Sequence, residues 1–224
     1  MANIKPTHSI TAQAPGKIII SGEHAVVYGY PALITTVNLY LTTTLTSQNN
    51  DLKFKIHSDI PIGSGLGSSA ALAATRAAVI LKWLKLKPTK QLINQFAFAA
   101  EKNTHGTPSG ADNTAVVYGG WLKFQKPDHL TRFKALNFPQ VVLINTGQPQ
   151  ETTAQMVDYV AHRKSPPWRQ IADCTNIIIN ILTSPSPHFN QLNSTLHTNE
   201  VLLEQLGVVS PSAKNLIRTI EQSG

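Results

Sequence analysis

A glycine-rich segment at residues 61–69 is followed directly by an Ala-, Leu- and Ile-rich stretch, residues 70–85, that contains neither Gly nor Pro. Glycine lets the backbone approach an anion closely and point successive N–H groups at it. A helix that begins after the glycines adds unpaired N–H groups and the positive end of its dipole. The segment therefore predicts a phosphate-binding loop, although it lacks the Gly-Lys-Ser/Thr ending of a Walker loop. A flexible Gly/Ser turn with an ordinary serine cap explains the same residues.

Two carboxylates mark a second cluster, residues 101–113. Glu101 is predicted near the C-terminal end of a helix, where the helix dipole disfavours an anion unless a cation lies nearby. Asp112 is predicted in the first turn of the next helix, where the dipole favours a negative charge and keeps the carboxylate available as an acceptor. A solvated helix edge for Glu101 and an ordinary N-terminal helix acid for Asp112 remain open.

A third cluster, residues 14–29, combines a lysine with an acid and an imidazole. Lys17 leads an Ile run that we expect to be buried, so its ammonium group requires an anionic partner. An edge-strand lysine whose stem reaches water is the alternative. Glu23 and His24 lie in a turn bounded by glycines, where they are either functional or part of the loop surface.

The elements that hold these clusters are predicted to be strands in the first third of the chain. Four extended runs rich in Thr or Ile predict strands at residues 9–14, 17–21, 39–47 and 52–57. A break at Pro15-Gly16 separates the first two runs. The polar sequence of residues 48–51 predicts a hairpin between the last two.

Helices are predicted to dominate the rest of the chain. The stretch 70–85 ends before Pro88, Thr89 caps a second helix, and a third helix over about 109–118 ends at a Gly-Gly pair. Two further strands and four helices follow, at residues 121–124, 141–145, 153–163, 168–182, 189–206 and 211–223. This order predicts an α+β fold with two lobes, residues 1–145 and 146–224.

The composition narrows the class of protein. Of 224 residues, 42% are hydrophobic and 14% are charged, which argues against disorder. The single cysteine excludes a disulfide framework, and neither a signal sequence nor an apolar run of about 18 residues is present. We therefore expect a cytoplasmic protein without membrane contact. The net charge of +7 suits an anionic ligand, but the lysines at 82–90 lack the aromatic pattern of a nucleic-acid binder.

Taken together, the three clusters resemble the signature of the small-molecule kinase superfamily that contains galactokinase, homoserine kinase, mevalonate kinase and phosphomevalonate kinase. Residues 22–29, Gly-Glu-His-Ala-Val-Val-Tyr-Gly, and residues 105–113, His-Gly-Thr-Pro-Ser-Gly-Ala-Asp-Asn, resemble the versions found in the mevalonate kinases. Galactokinases typically carry Thr-Asp after the Glu-His pair. The resemblance extends from about residue 12 to residue 147 and covers more than half of the chain.

The resemblance implies an N-terminal lobe similar to a ribosomal-protein module and a reaction that uses ATP and Mg²⁺. The reaction implied is phosphorylation of mevalonate to 5-phosphomevalonate, in the synthesis of isoprenoid precursors. It assigns the ATP phosphates to Pro61, Gly63, Ser64, Gly65, Leu66, Gly67, Ser68 and Ser69. It assigns catalysis to Asp112 and Lys17, and Mg²⁺ to Ser69 and Glu101. It assigns substrate binding to Lys17, Glu23, His24, Asp112 and Thr146.

The sequence departs from the superfamily after Gly147. Relatives carry a third, Gly-Ala-Gly-Gly-Gly-type motif near the C-terminus, and no counterpart occurs here. We therefore expect a truncated, mainly helical C-terminal lobe. A related kinase that acts on another small hydroxy acid or phosphorylated alcohol, and a non-catalytic nucleotide-binding homologue, remain alternatives. Homodimers occur among relatives, and a homodimer is possible here.

Overall fold

The computed structural model describes residues 8–48, 51–105, 108–127, 129–136, 138–147 and 153–223. Its strands are β1 His8–Ser21, β2 Ala32–Gln48, β3 Asp51–Ser58, β4 Trp121–Gln125 and β5 His129–Phe133. Its helices are α1 Ser68–Trp83, α2 Lys90–His105, α3 Ala111–Tyr118, α4 Thr153–Ala161, α5 Trp168–Thr183, α6 Phe189–Leu206 and α7 Pro211–Ser223, and a 3-10 helix spans Ala25–Tyr28. The α+β class predicted from the sequence is confirmed.

The chain divides into two compact units that interleave along the sequence. The first unit contains Met1–Ile18 and Thr35–Gly119, and the second contains Ile19–Ile34 and Gly120–Gly224. Strands β1 and β2 each run through both units. The boundary predicted after residue 145 therefore does not coincide with the edge of either unit.

The first unit packs α1, α2 and α3 around small side chains. Strands β2 and β3 form the predicted hairpin, with antiparallel pairing from Leu41 opposite Ser58 to Gln48 opposite Asp51. The core of this unit contains Ala14, Leu41, Ile60, Leu66, Ala70, Ala71, Ala74, Ala97 and Val116. Alanines on α1 allow the helices to approach closely, which places the residues at the helix ends near one another.

The predicted break at Pro15-Gly16 is wrong, because β1 continues through both residues. A β-carbon at Gly16 would lie 2.9 Å from Val37 Cγ2 and 3.1 Å from the Leu66 carbonyl oxygen. The glycine therefore serves close packing within the first unit instead of a turn. A glycine in an extended run can either interrupt a strand or allow close packing within it, and composition alone does not distinguish the two.

The second unit combines the start of β2 with two short strands and four helices. Ala32–Ile34 pair with β4, from Ala32 opposite Phe124 to Ile34 opposite Leu122, and β4 pairs antiparallel with β5. One buried cluster contains Ala25, Val160, Trp168, Ile171, Leu203 and Leu206, and another contains Leu33, Ile178, Ile181, Leu182 and Leu192. The four helices predicted after residue 150 are confirmed to within about two residues at each end.

Two strand assignments differ from the sequence prediction. Strand β5 was not predicted, because His129–Phe133 is short and lacks a continuous apolar pattern. The strand predicted at residues 141–145 is wrong, since residues 138–147 form neither helix nor strand. The apolar side chains of this segment are exposed to solvent, and Val142 is 86% exposed. High β-propensity makes a strand only where another strand is available to pair with it. None of the described helices is long and apolar enough to cross a bilayer.

Candidate active site

The glycine-rich loop contains three glycines with positive φ. Gly63, Gly65 and Gly67 have φ values of 77°, 74° and 77°, in the left-handed region that favours glycine. Helix α1 begins at Ser68 directly after Gly67, and no side chain caps this helix start. The first N–H groups of the helix are therefore open to an anionic group.

Lys17 is held against this loop by both its backbone and its side chain. Its N–H donates to the Leu66 carbonyl oxygen at 2.9 Å. A β-carbon at Gly67 would lie 2.8 Å from Lys17 Cγ, so glycine at this position makes room for the lysine stem. The loop and the lysine therefore form one packed arrangement at the start of α1.

The Lys17 ammonium group pairs with Asp112, which supplies the anionic partner that the sequence predicted for the lysine. Lys17 Nζ lies 2.9 Å from Asp112 Oδ1, and the side chains are 7% and 42% exposed, respectively. A nearly buried ammonium group is tolerated because its charge is paired. The larger exposure of Asp112 leaves the carboxylate accessible to a hydroxyl group from solution.

Ser69 and Glu101, which the family resemblance assigns to Mg²⁺, are in contact. Ser69 Oγ donates to Glu101 Oε1 at 2.7 Å, and Glu101 is buried near the C-terminal end of α2. Hydroxyl and carboxylate oxygens are the donor types that a hard cation such as Mg²⁺ takes. The chemistry of this donor set therefore fits the predicted metal.

Helices α2 and α3 are joined by an amide pair that the sequence analysis missed. The side chains of Asn94 on α2 and Asn113 on α3 hydrogen-bond at 2.7 Å, and Asn113 is buried. Asn113 follows Asp112 directly, and Asn94 lies two helical turns before Glu101. The pair fixes the two carboxylate-bearing helices against each other. Two asparagines 19 residues apart carry no local signal that would identify such a contact.

The Glu-His segment lies in the second unit and has a constrained backbone. Gly22 and His24 have φ values of 94° and 60°. A β-carbon at Gly22 would lie 2.3 Å from the Pro31 carbonyl oxygen, so only glycine fits there. Burial lowers the pKa of His24 below its ordinary value, which favours the neutral imidazole at pH 7. Thr146 is exposed in the irregular segment 138–147.

The structure thus brings together Lys17 with Asp112 and Ser69 with Glu101, all in the first unit. Glu23 and His24 are adjacent in the second unit, and the substrate role predicted for them and for Thr146 stays a prediction. A separate group of possible metal ligands occurs among the described residues on α6 and α7. His197 Nδ1 lies 3.4 Å from Glu200 Oε2 and 3.2 Å from Glu221 Oε1. These contacts have the geometry of surface ion pairs, which contribute little to stability.

Comparison with known proteins agrees with the motifs. The family model for the N-terminal domain of GHMP kinases matches residues 32–120. The mevalonate kinase of Arabidopsis thaliana is 26% identical, over 94% of this chain and 84% of the relative. The mevalonate kinase of Archaeoglobus fulgidus is 28% identical, over 95% of this chain and 85% of the relative. The chain therefore carries a GHMP kinase N-terminal domain at residues 32–120.

Solved structures support the same GHMP kinase fold. The crystal structure of L. major mevalonate kinase in complex with R-mevalonate matches with a TM-score of 0.80 and 22% identity, and the match covers 99% of this chain and 84% of that one. The Methanococcus jannaschii mevalonate kinase matches with a TM-score of 0.75 and 19% identity, over 92% and 81%.

Proposed function

We propose that this GHMP kinase transfers the γ-phosphoryl group of ATP to the C5 hydroxyl of mevalonate and forms 5-phosphomevalonate. The observation that carries the proposal is the pairing of Lys17 with Asp112 at 2.9 Å directly beside the glycine-rich loop. The curated relatives that align along 94% and 95% of the chain are mevalonate kinases, and they support mevalonate as the acceptor.

The phosphates of ATP are assigned to residues 61–69 and to the start of α1. Three left-handed glycines present backbone N–H groups, and the helix dipole adds positive potential at the same place. Ser69 and Glu101 would hold Mg²⁺, which neutralises phosphate charge when bound. Gly67 contributes indirectly, because it allows the Lys17 stem to pass beneath the loop.

Asp112 is assigned as the acceptor of the hydroxyl proton. Its Oδ1 is oriented by Lys17, and the exposed part of the carboxylate can reach a substrate hydroxyl. In the transfer, the hydroxyl oxygen forms a bond to the γ-phosphorus, the bond to the ADP oxygen breaks, and the hydroxyl proton passes to Asp112. Lys17 offsets the negative charge of the reacting phosphoryl group. Such transfer depends mainly on positioning and electrostatics.

The recognition of mevalonate is assigned to Lys17, Asp112, Glu23, His24 and Thr146, on the resemblance alone for the last three. A neutral His24 imidazole can donate one hydrogen bond to a hydroxyl or carboxylate group and accept one from a hydroxyl group. The cytoplasmic location, the absence of a nucleic-acid partner and the possible homodimer stay predictions.

The test is ADP release by the 224-residue chain with Mg²⁺ and ATP, in the presence and absence of mevalonate. We expect release that depends on mevalonate, together with 5-phosphomevalonate identified by mass spectrometry. Phosphomevalonate and other small hydroxy acids, supplied in parallel, measure the preference among acceptors. Faster turnover of another acceptor would contradict the substrate assignment. ATP binding without turnover of any acceptor would indicate a non-catalytic nucleotide-binding protein.

A further inference from the structure

Three polar side chains meet in the interior of the second unit. Ser21 Oγ lies 2.7 Å from Thr175 Oγ1 and donates to Asn199 Oδ1 at 2.9 Å. Ser21 and Thr175 are fully buried, and Asn199 is 4% exposed. Buried polar groups persist where they are mutually satisfied, and leaving one unsatisfied is costly. We call these three residues the Ser21 cluster. None of them is among the residues assigned to ATP, metal or substrate binding.

The number of hydroxyl protons determines which residue of the Ser21 cluster donates each hydrogen bond. A serine hydroxyl has one proton, and that of Ser21 is directed at Asn199. The contact between Ser21 and Thr175 therefore uses the threonine proton, which is shared with the Ile171 carbonyl oxygen at 2.9 Å. Helix α5 donates to β1 through Thr175, and β1 donates to α6 through Ser21. Loss of the Ser21 hydroxyl removes the donor to Asn199 Oδ1, and loss of the Thr175 hydroxyl removes the donor to Ser21 Oγ.

The Ser21 cluster lies at the beginning of the Glu-His segment. Gly22 follows Ser21 directly, and Gly22 and His24 both have positive φ values, with His24 at φ 60° and ψ −48°. A non-glycine residue such as His24 keeps this conformation only where its surroundings hold it. The Ser21 side chain fixes the residue that immediately precedes this strained backbone.

Helix α5 also contacts the end of the same segment. The Tyr28 ring stacks on Trp168, with centroids 4.8 Å apart. Trp168 and Thr175 are seven residues apart on α5, so they lie on one face two turns apart. The carbonyl of Gly29 accepts a hydrogen bond from Gln125 Nε2 at 2.9 Å. The segment from Ser21 to Gly29 is therefore held at both ends while Glu23 and His24 lie between.

We infer that the Ser21 cluster positions Glu23 and His24 for binding of the acceptor substrate, with Thr175 as its principal positioning residue. This inference rests on the proposed function, since it takes the Glu-His segment to contact mevalonate. The Ser21 cluster acts by restricting the backbone conformations of residues 22–24.

The chain contains a close control for this role in the first unit. Thr75 on α1 lies 2.7 Å from the hydroxyl of Thr43 on β2 and 2.9 Å from the Ala71 carbonyl oxygen. Thr175 makes the same pair of contacts, with Ser21 at 2.7 Å and with Ile171 at 2.9 Å. Both threonines are buried. Thr75→Val and Thr175→Val therefore remove equivalent hydrogen bonds, and only the second lies beside the Glu-His segment.

The experiment measures kcat and both KM values for Thr175→Val and Thr75→Val, together with hydrogen exchange of residues 22–29. We expect similar losses of Tm in the two variants. In Thr175→Val we expect the KM for mevalonate to rise about tenfold, the effect of one lost neutral hydrogen bond, with the KM for ATP unchanged. Exchange at residues 22–29 should accelerate in this variant alone. Thr175→Ser, which keeps the hydroxyl, should restore both properties, and Ser21→Ala replaces Thr175→Val if the latter does not fold.

Equal effects of Thr75→Val and Thr175→Val on the KM for mevalonate would overturn the inference, as would unchanged exchange at residues 22–29. The exchange measurement does not require catalysis. If wild-type protein shows no mevalonate-dependent ADP release while exchange separates the two variants, the proposed function fails and the positioning of the segment is retained. If turnover is present but the KM does not move, the proposed function holds and the inference fails.

Discussion

The two units hold their predicted functional residues by different physical means. In the first unit, charged groups meet directly, with Lys17 on Asp112 at 2.9 Å, and a short hydrogen bond joins Ser69 to Glu101. In the second unit, neutral hydroxyl and amide groups hold a segment that carries an acid and a neutral imidazole. The proposed phosphoryl transfer would use the charged groups of the first arrangement. The second sets the shape of a backbone segment.

The difference predicts different consequences of substitution in the two units. A charge removed from the first unit acts on the transition state, where negative charge is redistributed, and should appear in kcat. A hydrogen bond removed from the second unit acts on the conformation of a binding segment and should appear in KM. Four substitutions test this contrast.

The largest effect is expected for Asp112→Asn, because the amide cannot accept the hydroxyl proton. We expect kcat to fall by about 10²–10⁴-fold while the affinity for ATP stays within about twofold. Steady-state kinetics and nucleotide binding by calorimetry measure the two quantities. Asp158→Asn, on the exposed surface of α4, is the matched control and should leave both unchanged. Near-normal turnover of Asp112→Asn would remove this residue from catalysis.

Lys17→Met should lower kcat by about 10²–10³-fold, since removal of one preorganised charge near the reacting group costs a factor of this order. Methionine keeps a long stem against Gly67, so we expect little change in Tm. Lys123→Met in the second unit removes a lysine that donates to Asn176 Oδ1 at 2.8 Å and serves as the control. A large loss of Tm with unchanged kcat would show that Lys17 is structural.

The contrast between the units also explains what the sequence could predict. The glycine-rich loop is a local pattern, because Gly63, Gly65 and Gly67 are followed directly by a helix. The sequence alone therefore indicates a backbone conformation that favours glycine. Lys17 leads an apolar run and carries a charge, so an anionic partner could be expected for it, and Asp112 is that partner. In the first unit the residue types alone indicate the chemistry, and the fold brings these residues into contact.

The Ser21 cluster could not be predicted in the same way. Thr175 and Asn199 lie 154 and 178 residues from Ser21, and threonine and asparagine are ordinary residues in a helix. Strand formation likewise depends on a pairing partner outside the segment, which is why residues 141–145 were wrongly predicted as a strand. Strand β5 was missed because its five residues lack a continuous apolar pattern. Amphipathic helices were predicted well, because their apolar stripe is contained in a single segment.

Glu101→Gln is expected to have a smaller effect, confined to the metal dependence of the first unit. The amide oxygen still accepts from Ser69 but lacks the negative charge that a divalent cation prefers. We expect the Mg²⁺ concentration at half-maximal activity to rise about tenfold, as found for losses around a metal site. A Mg²⁺ titration at saturating ATP measures this, with Glu200→Gln on α6 as the control. An unchanged titration curve would leave Glu101 with a purely structural role.

The smallest effect is expected for His24→Gln and appears as a pH dependence of stability. Burial lowers the pKa of His24, so the unfolded chain binds a proton more readily than the folded one. As the pH falls below about 6.5, the ordinary pKa of histidine, the unfolded state gains this proton first and the folded state loses stability. The loss is complete once the pH has passed below the lowered pKa of the folded state.

Chemical denaturation between pH 7.5 and 5 should therefore show a smaller acid-dependent loss of stability in His24→Gln than in wild type. His129→Gln, at an exposed position of β5, should follow wild type. If both variants behave alike, the second unit does not hold His24 in its neutral form, and its contrast with the charged first unit is weakened.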